Sequence, residues 1–399
     1  MFASIFINLG LLLYFKYANF FIENLNATLE SIGINSIKWT DILLPIGISF
    51  YTFQTLTYSI DVYRGHHKPL KKLSDYLLYI MSFPQMIAGP IVRFNSIADE
   101  IVSRKEIVDD KLYGFIRFCI GLAKKVLIAN VMGQQADLIM NQPIENITPL
   151  ASWVGILAYT FQIYFDFSGY SDMAIGLGKM MGFTFPENFD NPYNAKSITE
   201  FWRRWHITLG QWMRDYLYIP LGGNKVNSKT RLYLNLWLVF LISGLWHGAS
   251  WNFVIWGAFH GLFLIFDRLF LLKLYTKVGS FLSVLITFIV VVIGWVFFRI
   301  ETFKGATNYI KKMFGLANNN MAEALALNKE FITIFFLALI FSFIGSFKFG
   351  KSIEEHIYYK TTPSLMWFVT MIIISVVLFV LSVSSISADG FNPFIYFRF

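Results

Sequence analysis

The sequence predicts an all-α polytopic membrane protein, with roughly 9–11 membrane segments including re-entrant or broken helices. Three observations predict it. Of 399 residues, 56% are hydrophobic and 19% aromatic. Only 15% are charged, against roughly 25% in soluble domains, and the mean hydropathy is +0.53. Finally, apolar runs recur at bilayer length: residues 364–386 would form a helix of about 34 Å, against a hydrocarbon core of about 30 Å.

Candidate spans are 2–22, 42–58, 76–92, 150–170, 232–246, 251–272, 280–298, 331–347 and 364–386. Residues 2–22 lack a basic n-region and an A-x-A-like site, so they read as a retained helix. Residues 112–140 are apolar but carry Arg117, Lys124 and Lys125, and either cross or lie at the interface. Pro45, Gly47, Pro84, Gly89 and Pro90 interrupt two of the spans. Broken helices are tolerated at membrane depth only under protein or around a wet cavity, so a buried, re-entrant core is expected. One membrane domain accounts for residues 1–399, ending in a tail over 387–399. The single cysteine, Cys119, excludes an internal disulfide.

Charge sets the orientation. The net charge of +8 reads as positive-inside loops rather than a nucleic-acid surface. The basic segments 59–75, 196–231 and 348–360 are placed inside, and 23–41 and 141–149 outside. The tail then lies outside. Residues 299–330 dissent, being basic where an outer loop is expected. Phe303, Ala306, Ile310 and Phe314 recur there at helical spacing, which suggests a surface-lying amphipathic helix.

The chemistry concentrates between residues 161 and 261. Asp166 and Asp172 sit in the aromatic run Tyr164–Asp172, where a carboxylate is expensive to bury; Ser, Tyr or backbone donors would satisfy them. In Ser197–His206, Thr199 is a possible helix N-cap. Arg203 and Arg204 beside Trp202 and Trp205 suggest a flat basic surface. Guanidinium groups suit phosphate, so a phosphorylated donor such as acyl-CoA would fit; positive-inside anchoring is the other reading. His247 ends an apolar span between Trp246 and Gly248, and Asn252 and His260 follow. Neutral imidazole can take a proton from a hydroxyl during acyl transfer, and Gly248 would let a substrate approach the backbone. His247 and His260 lack the i, i+4 spacing of a helical metal pair, so no metal is expected. In the tail, Tyr396 offers a phenolic hydroxyl between Phe394 and Phe399. It reads either as an acyl acceptor or as an interfacial anchor.

The runs Leu44–Phe50, Phe83–Pro90, Tyr164–Asp172, Ser197–His206, Arg214–Asn224 and Leu245–Gly248 resemble the membrane-bound O-acyltransferase family. The resemblance covers nearly the whole chain and is closest to the branch of alginate and peptidoglycan O-acetylation membrane subunits. Members of that branch usually carry further membrane helices before the segment matching residues 4–20; here Met1 sits almost directly on it. The resemblance implies a recessed, funnel-like core. It puts the family's near-invariant histidine at His247, which would act as general base or orient the acceptor hydroxyl, and its second at His206, which would affect donor binding or local geometry. It further implies that Tyr396 carries the acyl group, positioned by Phe394 and Phe399. Arg203, Arg204, Trp205, Trp246 and Asn252 would then meet substrate. The donor would be acetyl-CoA, with no bound cofactor. The site would be the bacterial plasma membrane. An extracytoplasmic acyltransferase or esterase-like partner would take the group to peptidoglycan or an alginate-like exopolysaccharide. The other class is a transporter of a small solute, with the broken helices as its pathway and the tail as an anchor.

Overall fold

The computed structural model describes residues 1–317, 325–358, 364–389 and Phe394. Its centre is a 32-residue helix, Pro149–Met180. Pro149 suits a first helical position, and the Thr148 side chain caps the start by accepting from the Ala151 amide. Every residue from Ala158 to Gly169 is buried. Such all-round burial explains why apolar side chains occur on every face of this segment.

Residues 108–140 run antiparallel to it, as the helices Val108–Ala123 and Asn130–Met140 joined by a π turn at Lys124–Ala129. Two reciprocal glycine contacts let the backbones meet. A Cβ on Gly121 would lie 2.5 Å from the Gly169 carbonyl oxygen, and one on Gly176 2.5 Å from that of Gly114. Small residues at a crossing are how membrane helices gain close packing. The same interface resolves the charges in 112–140. Lys125 meets Asp166 at 2.7 Å, Lys124 meets Asp172 at 2.7 Å, and Arg117 meets Asp172 at 2.9 Å and also Glu187. Both aspartates therefore meet cations of the neighbouring helix, a partnership that the Ser, Tyr or backbone donors expected from sequence did not include. Residues 112–140 pack as a full-length helix rather than lying on a surface.

Five described helices are long and apolar enough to cross a bilayer: Phe2–Ser31, Trp251–Val278, Ser280–Arg299, Lys329–Ser346 and Leu365–Ala388. The first leaves Phe2, Phe6 and Ile7 exposed, and the last leaves Leu365, Met366 and Ile373 exposed. Contiguous apolar exposure of this kind is what lipid covers.

The interrupted spans break where proline and glycine predict. Residues 42–46 are non-helical, Gly47 turns at φ +77°, and a helix runs Ile48–Tyr63. Residues 76–92 divide into the helix Leu73–Met81, a single turn at Phe83–Met86 and a bent, non-helical stretch. In the basic segment 299–330 a helix does form, Phe303–Met313, but its inward face differs from the one expected. Ala306, Tyr309 and Met313 are buried while Phe303 and Phe314 are exposed. The Tyr309 hydroxyl donates to the Ser152 carbonyl, so this helix docks on the protein.

Candidate active site

Three segments converge on one buried aromatic chamber. The first is the end of the helix Lys229–His247. It packs tightly on Trp251–Phe266, because a Cβ on Gly244 would strike the Phe253 carbonyl and one on Gly257 the Phe240 carbonyl. His247 is buried at its last position, with ring centroids 5.1 Å from Trp256 and 5.6 Å from Phe298. Gly248 then turns the chain into extended backbone at φ −162°. Its open side is covered by the Phe253 ring. Gly248 thus makes room for a core aromatic on the side where a Cβ would stand.

The second segment surrounds His206. This residue adopts φ +46°, a left-handed backbone uncommon outside glycine and asparagine. Asn188 holds the strain. Its Oδ1 lies 3.1 Å from His206 Nδ1 and accepts from the Thr208 hydroxyl at 2.8 Å, and its backbone carbonyl accepts from the Ile207 amide. With Nδ1–H donating to Asn188, the lone pair sits on Nε2, which has no hydrogen-bond partner among the described residues. Burial first, and His247 second, push the His206 pKa well below its ordinary value. The two histidine rings lie 6.5 Å apart. Asn188 therefore fixes a tautomer, a role not assigned to it from sequence.

The third segment is the tail. Phe394 is buried, with its ring 5.0 Å from Tyr170 and 6.0 Å from Phe167. The Phe167 ring in turn stands 4.7 Å from His206. Tyr396 and Phe399 lie outside the described residues.

A cavity of about 210 Å³ reaches His247, lined by Lys16, Pro45, Ser49, Phe50, Ile87 and Trp246. Trp246 is buried, and its ring stacks on Phe53 at 5.2 Å. Asn252 donates to the Phe298 carbonyl at 3.4 Å, behind the His247 ring rather than in this cavity. The Arg/Trp surface does not form. Trp202 packs on Trp256 and His260, and Trp205 on Phe201, Phe189 and Trp295. Arg203 is exposed, and Arg204 bonds Glu200 and the Asp190 carbonyl. Backbone geometry explains the split: Trp202 and Arg203 are adjacent on a helix and point to different faces, and Trp205 follows Arg204 in extended backbone beyond the helix end. Thr199 does not cap that helix either. Ser197 does, accepting from the Glu200 amide, while Thr199 donates to Asp267. Among the described residues, no three His, Cys, Asp or Glu side chains converge as a metal would need.

Residues 66–301 match the membrane-bound O-acyltransferase family. The chain belongs to that family. It is an O-acyltransferase and a multi-pass membrane protein. It is 43% identical to the "Probable alginate O-acetylase AlgI" of Pseudomonas putida, over 98% of this chain and 83% of the relative. The Helicobacter pylori "Peptidoglycan O-acetyltransferase" is 37% identical over 82% of this chain and 66% of its own length. A "Teichoic acid D-alanyltransferase" of Bacillus subtilis is 32% identical over 55% of this chain and 58% of its own. Membership decides between the two classes left open by sequence, in favour of the enzyme. Within this acyltransferase, the convergence of His247, His206 and the buried tail residue Phe394 marks the candidate centre.

Proposed function

We propose that this acyltransferase moves an acetyl group from cytosolic acetyl-CoA across the bacterial plasma membrane for O-acetylation of peptidoglycan or an alginate-like polysaccharide. In this reading His247 takes the proton from the Tyr396 hydroxyl. The phenolic oxygen attacks the thioester carbonyl, the C–S bond breaks, and coenzyme A leaves as the thiol after protonation. The acetyl ester on Tyr396 is then collected by an extracytoplasmic acyltransferase or esterase-like partner. Arg203 and Arg204 remain the proposed donor-side cations.

The observation that carries this reading is the burial of Phe394 against Phe167, one ring away from His206. A lipid-interface anchor would keep its aromatics at the membrane boundary. Here an aromatic of the tail is buried against Phe167, the ring that packs on His206. Relatives that acetylate alginate and peptidoglycan support the polymer class.

The test is Tyr396→Phe, which keeps the ring and removes the hydroxyl. In proteoliposomes with the external partner, polymer acetylation is expected to stop. With the partner absent and labelled acetyl-CoA supplied, mass spectrometry of the C-terminal peptide is expected to find the label on Tyr396. An unmodified peptide, together with full acetylation by Tyr396→Phe, would return the tail to an anchoring role.

A further inference from the structure

A helix of this kind ends with four carbonyls that lack intrahelical partners. In Lys229–His247 these belong to Gly244, Leu245, Trp246 and His247. The Gly244 carbonyl accepts from the Gly248 amide. The other three are capped from the first membrane helix. Tyr17 Oη donates to the Leu245 carbonyl at 2.7 Å. Lys16 Nζ donates to the Trp246 carbonyl, and to that of His247 at 3.3 Å. Its remaining bond goes to Ser49 Oγ at 3.0 Å. A π turn at Leu13–Tyr17 widens the first helix where these side chains leave it; π turns often mark functional positions.

Lys16 stands mid-way along an apolar 30-residue helix. A lysine at such depth is costly and rare, and points to function. All three of its protons are engaged, so it has none left for a substrate. What it holds is the backbone that carries His247. Its positive charge also complements the negative end of that helix.

We propose that Lys16, assisted by Tyr17, is the positioning residue of the reaction centre: it ties the carbonyls of Trp246 and His247 and so aims the His247 imidazole at the 210 Å³ cavity. The first helix is then part of the active site as well as a lipid-facing span. This assignment rests on the reading of His247 as the acyl-transfer base.

The test uses the full chain in proteoliposomes, comparing Lys16→Met, Lys16→Arg, Lys16→Ala, Tyr17→Phe and His247→Ala. Methionine suits the bilayer and preserves length. Lys16→Met is expected to lower acetyl-CoA turnover about 10²-fold, the scale of a small misplacement, with donor KM unchanged. Lys16→Arg should regain most of the loss, and Tyr17→Phe should fall between them. Methylammonium added to Lys16→Ala should restore part of kcat. A second readout is the rate at which diethylpyrocarbonate modifies His247, followed by mass spectrometry. It should change in Lys16→Met and return in Lys16→Arg. Wild-type kcat with wild-type modification in Lys16→Met overturns the assignment. If His247→Ala keeps its turnover, the base reading falls instead, and the modification rate alone decides whether Lys16 orients the ring.

Discussion

At the scale of single residues, the centre works through groups whose states are set by burial. His247 is the residue on which turnover should depend most. His247→Ala is expected to lower acetyl transfer by about 10²–10⁴-fold, the usual loss for a general base, with unchanged elution from a sizing column. Wild-type turnover would remove it from the mechanism. His206 lies within a ring's width of His247, so its loss should fall on kcat as much as on donor binding. Its pKa is depressed by burial and by His247, so it stays neutral while the ordinary imidazole, near 6.5, would charge. The sign follows by linkage. Above about pH 6.5 both folded and unfolded forms are neutral, and this residue adds no pH dependence. Below it the unfolded chain binds a proton that the folded one does not, so stability falls. Thermal unfolding in detergent should therefore lose less stability between pH 7 and pH 5, about 1.5 pH units below the ordinary value, in His206→Gln than in wild type. Equal losses would mean that His206 takes up a proton in the folded state.

At the scale of elements, glycine decides which helices touch. Gly121→Leu has no space, because the Gly169 carbonyl lies where the new side chain would begin. Overpacking of this kind costs about 1–3 kcal/mol or more, so a clear drop in unfolding temperature is expected. Gly10→Leu is the control, since nothing lies within 4 Å of its Cβ position, and it should unfold with wild type. The charges across the same interface form a coupled set. Arg117→Ala would take the guanidinium from Glu187 and leave Asp172 with Lys124 as its cation, so the cost should stay below the ~3–5 kcal/mol of a fully stranded buried charge. Fluorescence-detected size exclusion after a temperature ramp measures both effects. A Gly121→Leu protein as stable as Gly10→Leu would show that the two helices separate without cost.

At the scale of the whole molecule, the prediction concerns sidedness. Cys119 is buried, so a cysteine-free background is within reach and added thiols report position. Thiols at position 26 and at 388 are expected to react with a membrane-impermeant reagent from outside the cell. One at position 228 should react only after permeabilisation. Labelling at 388 only from inside would reverse the last span and remove Tyr396 from an external partner.

Composition and pattern by themselves determined the class of this protein, because a bilayer imposes length and hydropathy on every crossing. They also determined where spans break, since proline and glycine act on the local backbone, as Gly47 and Ser82–Met86 show. Long motifs pointed to the family, and they named His206 and His247. Only the tertiary structure decided which side chains share a space. A lysine in an apolar helix is visible in sequence, but the carbonyls Lys16 caps lie about 230 positions away. The partners of Asp166 and Asp172, the inward turn of Trp202 and Trp205, and the Asn188 contact that sets the His206 tautomer are likewise long-range. Each depends on helix rotation and crossing, which a one-dimensional pattern does not contain.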